Sequence, residues 1–258
     1  VSGDVVDQAT DFELPGPVPV VFKRFYSSAR FADEDASLGP GWAHGFEQFI
    51  EDRGKTLLLR EAEGRFVTFA ATPAGGETFH RRERLVLRRA KADEYRVYSP
   101  DSRLTRVFSV EAGSKRALLR SIQDAFGNRI RLEYRGERVS GIIDAAGRHV
   151  RVEWRGARIR TITIEGGGAT LYEYDAQGRL SAVGDAAGSV DTYEYDEWNR
   201  MVATTTKGGV RFTYEYDELG RCARTSGPNG LFYTEIEYDV QNGRTVVHSA
   251  EPRVIRWN

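Results

Sequence analysis

Cysteine is nearly absent: Cys222 is the only one in 258 residues, so an intrachain disulfide is impossible and a zinc site built on several cysteines is excluded. This fits synthesis in a reducing compartment. Methionine is equally scarce. Met201 stands alone, so Val1 is not a natural translation start. The last residues, Val254-Ile255-Arg256-Trp257-Asn258, read as the opening of another strand, and the chain is expected to be a section of a longer protein. No apolar stretch approaches the roughly 20 residues needed to span a bilayer, and no signal-peptide pattern opens the chain. Net charge is −1, from 37 basic and 38 acidic residues, which gives the whole chain no pull toward nucleic acid or an anionic membrane. His44, His80, His149 and His248 are scattered and form no pair at metal-ligand or acid–base spacing. There is no Gly-x-Ser-x-Gly elbow and no phosphate-binding glycine run. The expectation is a chain without catalytic, cofactor-binding or metal residues.

What is abundant points to β structure: 12 Tyr, 13 Phe and 27 Gly, with Val, Ile, Thr and Tyr between the glycines. One phrase recurs. Tyr172-Glu173-Tyr174-Asp175 returns as Tyr193-Glu194-Tyr195-Asp196 and Tyr214-Glu215-Tyr216-Asp217, then degraded as Ile236-Glu237-Tyr238-Asp239. Each copy is followed by a turn and an arginine: Arg179, Arg200, Arg221, Arg244. Weaker copies end on Tyr134 and Trp154, so the second aromatic falls at 134, 154, 174, 195, 216 and 238. Halfway between copies lie second turns that open on Asp124, Asp144 and Asp185, or run Gly227-Pro228-Asn229-Gly230. Asp opening a turn and Gly closing it is sound turn chemistry, because the carboxylate bonds to the backbone two residues on and Gly accepts positive φ. Two turns per unit leave two strands of about six residues, a hairpin. Residues 50–120 are less regular, with strands read around Leu57–Leu59, Phe66–Phe69, Tyr95–Tyr98 and Arg106–Phe108. Ser28 to Ala36 reads as a short helix or an irregular loop.

Strand alternation puts Tyr172 and Tyr174 on one face and Glu173 on the other. Ile130, Leu132 and Tyr134 oppose Arg131 and Glu133; Val150, Val152 and Trp154 oppose Arg151 and Glu153. An apolar, Tyr-rich face cannot stay in water, so Tyr134, Trp154, Tyr172, Tyr174, Tyr193, Tyr195, Tyr214, Tyr216 and Tyr238 are the structural or cargo-facing candidates. The aspartates at 175, 196, 217 and 239 look like metal ligands but sit on equivalent strands about 9.6 Å apart, too far to share one calcium ion. They are read as turn caps. The recurring arginines are expected to pair with Glu or Asp across strands. Cys222 occupies the slot of Leu180 and Met201 and is read as a core side chain. The basic run Arg81 to Lys91 alternates with Leu85 and Leu87 and is read as a solvated or salt-bridged strand face.

The Tyr-x-Tyr-Asp-x-x-Gly-Arg phrase resembles the YD repeat of RHS proteins, toxin-complex C components and teneurins. The stretch Thr10-Asp11-Phe12-Glu13-Leu14-Pro15-Gly16-Pro17, with Phe22-Lys23-Arg24-Phe25-Tyr26-Ser27-Ser28 and Leu38-Gly39-Pro40-Gly41-Trp42, is similar to the segment that opens the RHS shell. The resemblance implies an all-β fold of antiparallel hairpin repeats in a spiralling or curved sheet, part of a hollow shell. It would comprise an opening segment (1–50), an irregular strand region (51–120) and YD repeats (121–258) in one continuous body. In bacterial members the shell encloses a toxic C-terminal domain, often delivered by a type VI or related secretion machine. The implied partners are a toxin or effector polypeptide, the remaining repeats of the shell, secretion components, or another copy through strand edges. Nucleic acid and membrane spans are not expected. Synthesis in the cytoplasm and delivery outside the cell would follow. The family's autoproteolysis region usually carries an Asp-Pro step, and this chain has none, so neither cleavage nor toxicity is carried over. A protease reading ranks low for the same reason. The alternative is a cell-surface adhesion module whose exposed Tyr and Arg side chains bind glycan or protein.

Overall fold

The computed structural model describes residues 2–111 and 114–249 and the backbone of Ile255–Trp257; Val1, Val254 and Asn258 lie outside the described residues. The described residues are β-strands joined by turns, with two short 3-10 turns at Ser28–Arg30 and Pro228–Gly230. The chain forms two compact units, one of Gln8–Phe25 and Ala43–Ala169, the other of Val1–Asp7, Tyr26–Trp42 and Thr170–Asn258.

Strands β1 (Val6–Leu14), β2 (Val20–Ser27) and β3 (Trp42–His44) form a three-stranded sheet in that order. Burial along β2 alternates without a break, and Val20, Phe22, Arg24 and Tyr26 are its buried positions. An arginine in that series needs a partner. Asp11 supplies it: its Oδ1 accepts from Arg24 Nε at 2.7 Å, and the two side chains are 1% and 0% exposed. Phe22 stacks between Phe12 and His44 at centroid distances of 5.7 and 4.8 Å.

Eight strands follow in the unit that holds Ala43–Ala169: β4 (Phe49–Asp52), β5 (Thr56–Arg60), β6 (Phe66–Ala70), β7 (Glu77–His80), β8 (Leu85–Arg89), β9 (Glu94–Ser99), β10 (Leu104–Val110) and β11 (Arg116–Gln123). The four strands read from the sequence in this stretch are β5, β6, β9 and β10. They run as an antiparallel meander that returns on itself. One edge of β11 pairs with β10; the other pairs first with β4, through Ala117↔Ile50, and then with the next strand. Closure leaves β4 no free edge and turns every second side chain inward. Ile50, Leu57, Leu59, Phe69, Leu87, Val97, Phe108 and Leu119 are all at most 2% exposed.

Two hairpins complete this unit, β12 (Arg129–Arg135) with β13 (Arg138–Ile143) and β14 (His149–Arg155) with β15 (Arg158–Ile164). The second unit carries the rest: β16 (Ala169–Tyr174), β17 (Leu180–Gly184), β18 (Val190–Tyr195), β19 (Met201–Thr205), β20 (Arg211–Tyr216), β21 (Cys222–Ser226), β22 (Thr234–Asp239), β23 (Arg244–Ser249) and β24 (Ile255–Trp257). The last of these pairs antiparallel with β23. The protein is therefore predominantly all-β, with repeated antiparallel strand pairs that build an extended sheet.

Candidate functional site

The repeated turn is built by its aspartate. Asp175 Oδ1 accepts from the N–H groups of Gln177 at 3.0 Å and Arg179 at 2.9 Å. Its Oδ2 accepts from Arg179 Nε at 2.6 Å. Asp196 holds Trp198 and Arg200 in the same way, and Asp217 holds Leu219 and Arg221. The fourth position needs a left-handed backbone, and it is Gly178 (φ 76), Asn199 (φ 64) or Gly220 (φ 78). Burial alone would raise the Asp217 carboxyl, but bonds from Arg221 hold it below its ordinary value. The turns at the other strand ends use the same cap, from Asp124, Asp144 and Asp185. The aspartates are turn residues. The arginines at 179, 200 and 221 differ from expectation, since each pairs four residues back inside its own turn rather than across strands. The cause is the tight turn, which lays the guanidinium along the capping carboxylate.

The hairpins from β12–β13 to β20–β21 also contain a feature the period does not reveal, whereas β22 and β23 pair without it. The register slips by one between Glu and the second aromatic at Glu133/Tyr134, Glu153/Trp154, Glu173/Tyr174, Glu194/Tyr195 and Glu215/Tyr216. The extra residue lies on the returning strand, for example Val202 between Met201 (opposite Tyr195) and Ala203 (opposite Glu194). Such bulges add twist. The second aromatic then reaches back one repeat. Tyr195 Oη donates to Leu180 O, Tyr216 Oη to Met201 O and Tyr238 Oη to Cys222 O, each at 2.7 Å. Tyr134 Oη donates to Leu119 O and Trp154 Nε1 to Val139 O at the same distance. The accepting residue is the one opposite the previous second aromatic: Leu180 faces Tyr174 and Met201 faces Tyr195. The preceding arginine covers the ring, with Arg179 5.2 Å from the centroid of Tyr195, Arg200 4.5 Å from Tyr216 and Arg221 4.1 Å from Tyr238. Turn, arginine and tyrosine form one interlock per repeat.

Within the second unit the tyrosine face is covered by the chain's own early residues. Trp42 is fully buried, meets the Tyr193 ring edge-on at 4.8 Å and donates from Nε1 to Tyr195 Oη at 2.8 Å. Tyr26 Oη accepts the Met201 N–H at 2.6 Å, and Gly3 O accepts the Cys222 N–H at 2.7 Å. Gly39 lies against the next turn so closely that a Cβ would stand 2.9 Å from Gly178 O. Of the nine candidates, Tyr172 and Tyr193 are buried at 0% and 5% exposure, whereas Tyr134, Trp154, Tyr174, Tyr195, Tyr214, Tyr216 and Tyr238 are half-buried. The structure gathers Tyr193 and Tyr195 with Trp42 and Tyr26. Burial raises the hydroxyl pKa values of Tyr134, Tyr195 and Tyr216 well above the ordinary tyrosine value, and pushes Tyr214 up to about 12.

The other candidates behave as structure. His44 is buried, and its Nδ1 accepts the Phe46 N–H at 3.3 Å; burial lowers its pKa to about 4. Cys222 is buried, and burial raises its thiol to about 11, against the lowering effect of its bond to the Arg224 backbone. In the basic run, Leu85 and Leu87 point inward, Arg84 pairs with Asp101 and Arg89 with Asp52. No group of three or more His, Cys, Asp or Glu is placed to hold a metal among the described residues. No helix among them is long and apolar enough to cross a membrane. Sequence reasoning missed the roles of Tyr26 and Trp42 as covers and the Asp11–Arg24 pair. The alternation of Val20, Phe22, Arg24 and Tyr26 was the available signal.

Comparison with known proteins agrees with this geometry. Residues 155–190 and 174–211 match the RHS repeat, and residues 1–69 match a domain of unknown function, DUF6531. The chain belongs to the RHS/YD-repeat family. It is 30% identical over 193 residues to double-stranded DNA deaminase toxin A of Burkholderia cenocepacia, a match that covers 71% of this chain and 13% of that protein. It is also 30% identical over 144 residues to the probable deoxyribonuclease RhsB of Dickeya dadantii, covering 51% of this chain and 9% of that protein. The YD-repeat chain thus spans a small part of each relative. Among solved structures, the Photorhabdus luminescens Tc holotoxin pore aligns with 96% of the chain and 15% of its own, at 13% identity and a TM-score of 0.42.

Proposed function

We propose that this chain is a section of the wall of an RHS-type shell that encloses a polypeptide toxin or effector and leaves the cell with it. The observation that carries the reading is the interlock. Within each compact unit, Tyr134, Trp154, Tyr195, Tyr216 and Tyr238 each tie their strand to a preceding one, a unit that can be repeated by adding hairpins, as a wall requires. Residues 1–50 would open the shell, 51–120 would form its first strands and 121–258 its repeats. Remaining repeats, or another copy, would pair on the free strand edges. The named relatives are a deaminase toxin and a probable deoxyribonuclease. Since the chain matches only 13% and 9% of them, their activities would belong to the enclosed cargo. Synthesis in the cytoplasm and export with secretion components complete the proposal.

The adhesion alternative rested on exposed Tyr and Arg side chains. Those arginines lie over the tyrosine rings, and the hydroxyls of Tyr195, Tyr216 and Tyr238 are bonded to backbone, so nothing specific favours it. Limited proteolysis of the full-length protein that contains this chain tests the shell. The enclosed polypeptide should survive protease that digests it when isolated, and Trp42→Ala with Tyr195→Phe should expose it. Digestion at the isolated rate in the unaltered protein would refute the enclosure.

A further inference from the structure

Two turns of the chain carry a charge opposite to that of the other repeats. In the strong copies an aspartate follows the second aromatic, and its carboxylate pairs with the arginine that closes the turn: Asp175 with Arg179, Asp196 with Arg200, Asp217 with Arg221. In the two weak copies the same place holds arginine, since Arg135 follows Tyr134 and Arg155 follows Trp154. These turns shorten to Gly136-Glu137 and Gly156-Ala157, and both glycines adopt φ 61. Arg135 then stands opposite Arg138 in register, and Arg155 opposite Arg158. Like charges directly opposite on paired strands are destabilising, so both hairpin ends are built against their own stability.

Three of these arginines gather at one spot. Arg138 lies over the Trp154 ring at 5.4 Å, and its Nη1 donates to Gly156 O at 2.7 Å. It keeps the place that Arg179 and Arg200 hold over their rings, but not their carboxylate. Its head therefore sits between Arg135, across the strand pair, and Arg155, the residue before the carbonyl it bonds. All three arginines are exposed, and none has a carboxylate within ion-pair distance among the described residues. Two neighbouring acids are turned aside. Glu137 accepts from Ser114 Oγ at 2.7 Å and reaches Arg116 at 4.0 Å. Glu133 leans over Gly141, where a Cβ would stand 2.6 Å from its Oε2. Against the three arginines stands Glu153, two residues before Arg155 on the same exposed face, which leaves a surplus of two positive charges.

We infer that this end of β12–β15 is a site for a small phosphate dianion. A carboxylate would neutralise one guanidinium and leave the others opposed. A phosphate group carries a charge of about −1.5 to −2 at pH 7 and three acceptor oxygens, enough to bridge Arg135, Arg138 and Arg155. The forked guanidinium matches that geometry. A nucleic-acid track does not fit. Along the exposed faces charge alternates, as Arg131, Glu133 and Arg135 on β12 and Arg151, Glu153 and Arg155 on β14, so successive phosphodiesters would meet carboxylates. The site stands apart from the shell reading and survives its failure.

The test is calorimetric titration of the whole chain with inorganic phosphate and with pyrophosphate, at an ionic strength fixed with sodium chloride. Both should bind, and the melting temperature should rise with their concentration. Affinity should fall by about tenfold or more in Arg138→Gln and in Arg135→Asp. The second variant restores the carboxylate of the strong repeats, so without ligand it should melt higher than the unaltered chain. Loss of the site is thereby separated from loss of the fold. Arg131→Gln, on the same strand but outside the cluster, should bind as the unaltered chain does. The assignment would be overturned by no binding above the chloride background, by unaltered affinity or no higher melt in Arg135→Asp, or by an equal loss in Arg131→Gln. Tighter binding of an oligonucleotide without a terminal phosphate, or of vesicles containing phosphatidic acid, would overturn it as well.

Discussion

The strands that open the fold and the repeats that follow are held by different means. In the opening region stability is concentrated in single buried polar groups: Asp11 with Arg24, the uncharged His44, and Arg60, whose side chain is 5% exposed beside Glu47. In the repeats it is divided among copies of one interlock, each a capped turn, a covered ring and one hydrogen bond to a backbone carbonyl. The first arrangement suits a segment that occurs once and must find one register. The second suits a sheet that grows by addition, where each copy need only recognise the one before it. The contrast predicts steep costs for single changes in the opening region and shallow ones in the repeats.

The largest effect is expected from Asp11→Ala. It removes the carboxylate that faces a fully buried guanidinium, at a cost of about 3–5 kcal/mol in chemical denaturation. A loss below about 1 kcal/mol would erase the distinction between the regions. Next is acid. His44 is neutral when folded, so between its unfolded pKa of 6.5 and its folded value of about 4 the unfolded chain binds more protons. Its contribution is therefore complete above the upper value and lost as pH falls through the lower one, roughly 3 kcal/mol in all. His44→Gln should flatten that part of the pH–stability curve; an unchanged slope would place the acid sensitivity elsewhere. The smallest effect is Tyr216→Phe, which leaves Met201 O without its hydroxyl donor and should cost about 1–2 kcal/mol. Tyr134→Phe should cost the same, and the pair should add, since the residues share no partner. A much larger or non-additive loss would mean that the repeats are not independent copies.

The repeat was legible in the sequence because its chemistry is local. Asp at the turn start, Gly or Asn at the left-handed position and the alternation of Tyr with Glu are all visible within a few residues. The same locality hid the interlock, because a tyrosine that donates to a carbonyl on the preceding hairpin has the same sequence pattern as one that meets solvent. The arginine's partner was misplaced for a related reason: period-two reasoning ends where the turn begins, and Arg179 lies just beyond it. The return of β11 to β4 was out of reach. It pairs Ala117 with Ile50, and pairing at that separation leaves no local trace. Tyr26 had only the alternation of its strand as a signal and Trp42 only its place in a sharp glycine turn, yet they cover the tyrosine face that sequence reasoning left open.

The interlock is tested most directly by a pH titration followed through NMR of isotope-labelled tyrosine, with tyrosine-to-phenylalanine variants for assignment. Tyr134, Tyr195 and Tyr216 should remain protonated well above the ordinary tyrosine pKa of 10, and ionise only as the protein unfolds. Ionisation of the three repeat tyrosines near the ordinary value, while the protein remains folded, would contradict the interlock, and with it the account of how the repeats are held together.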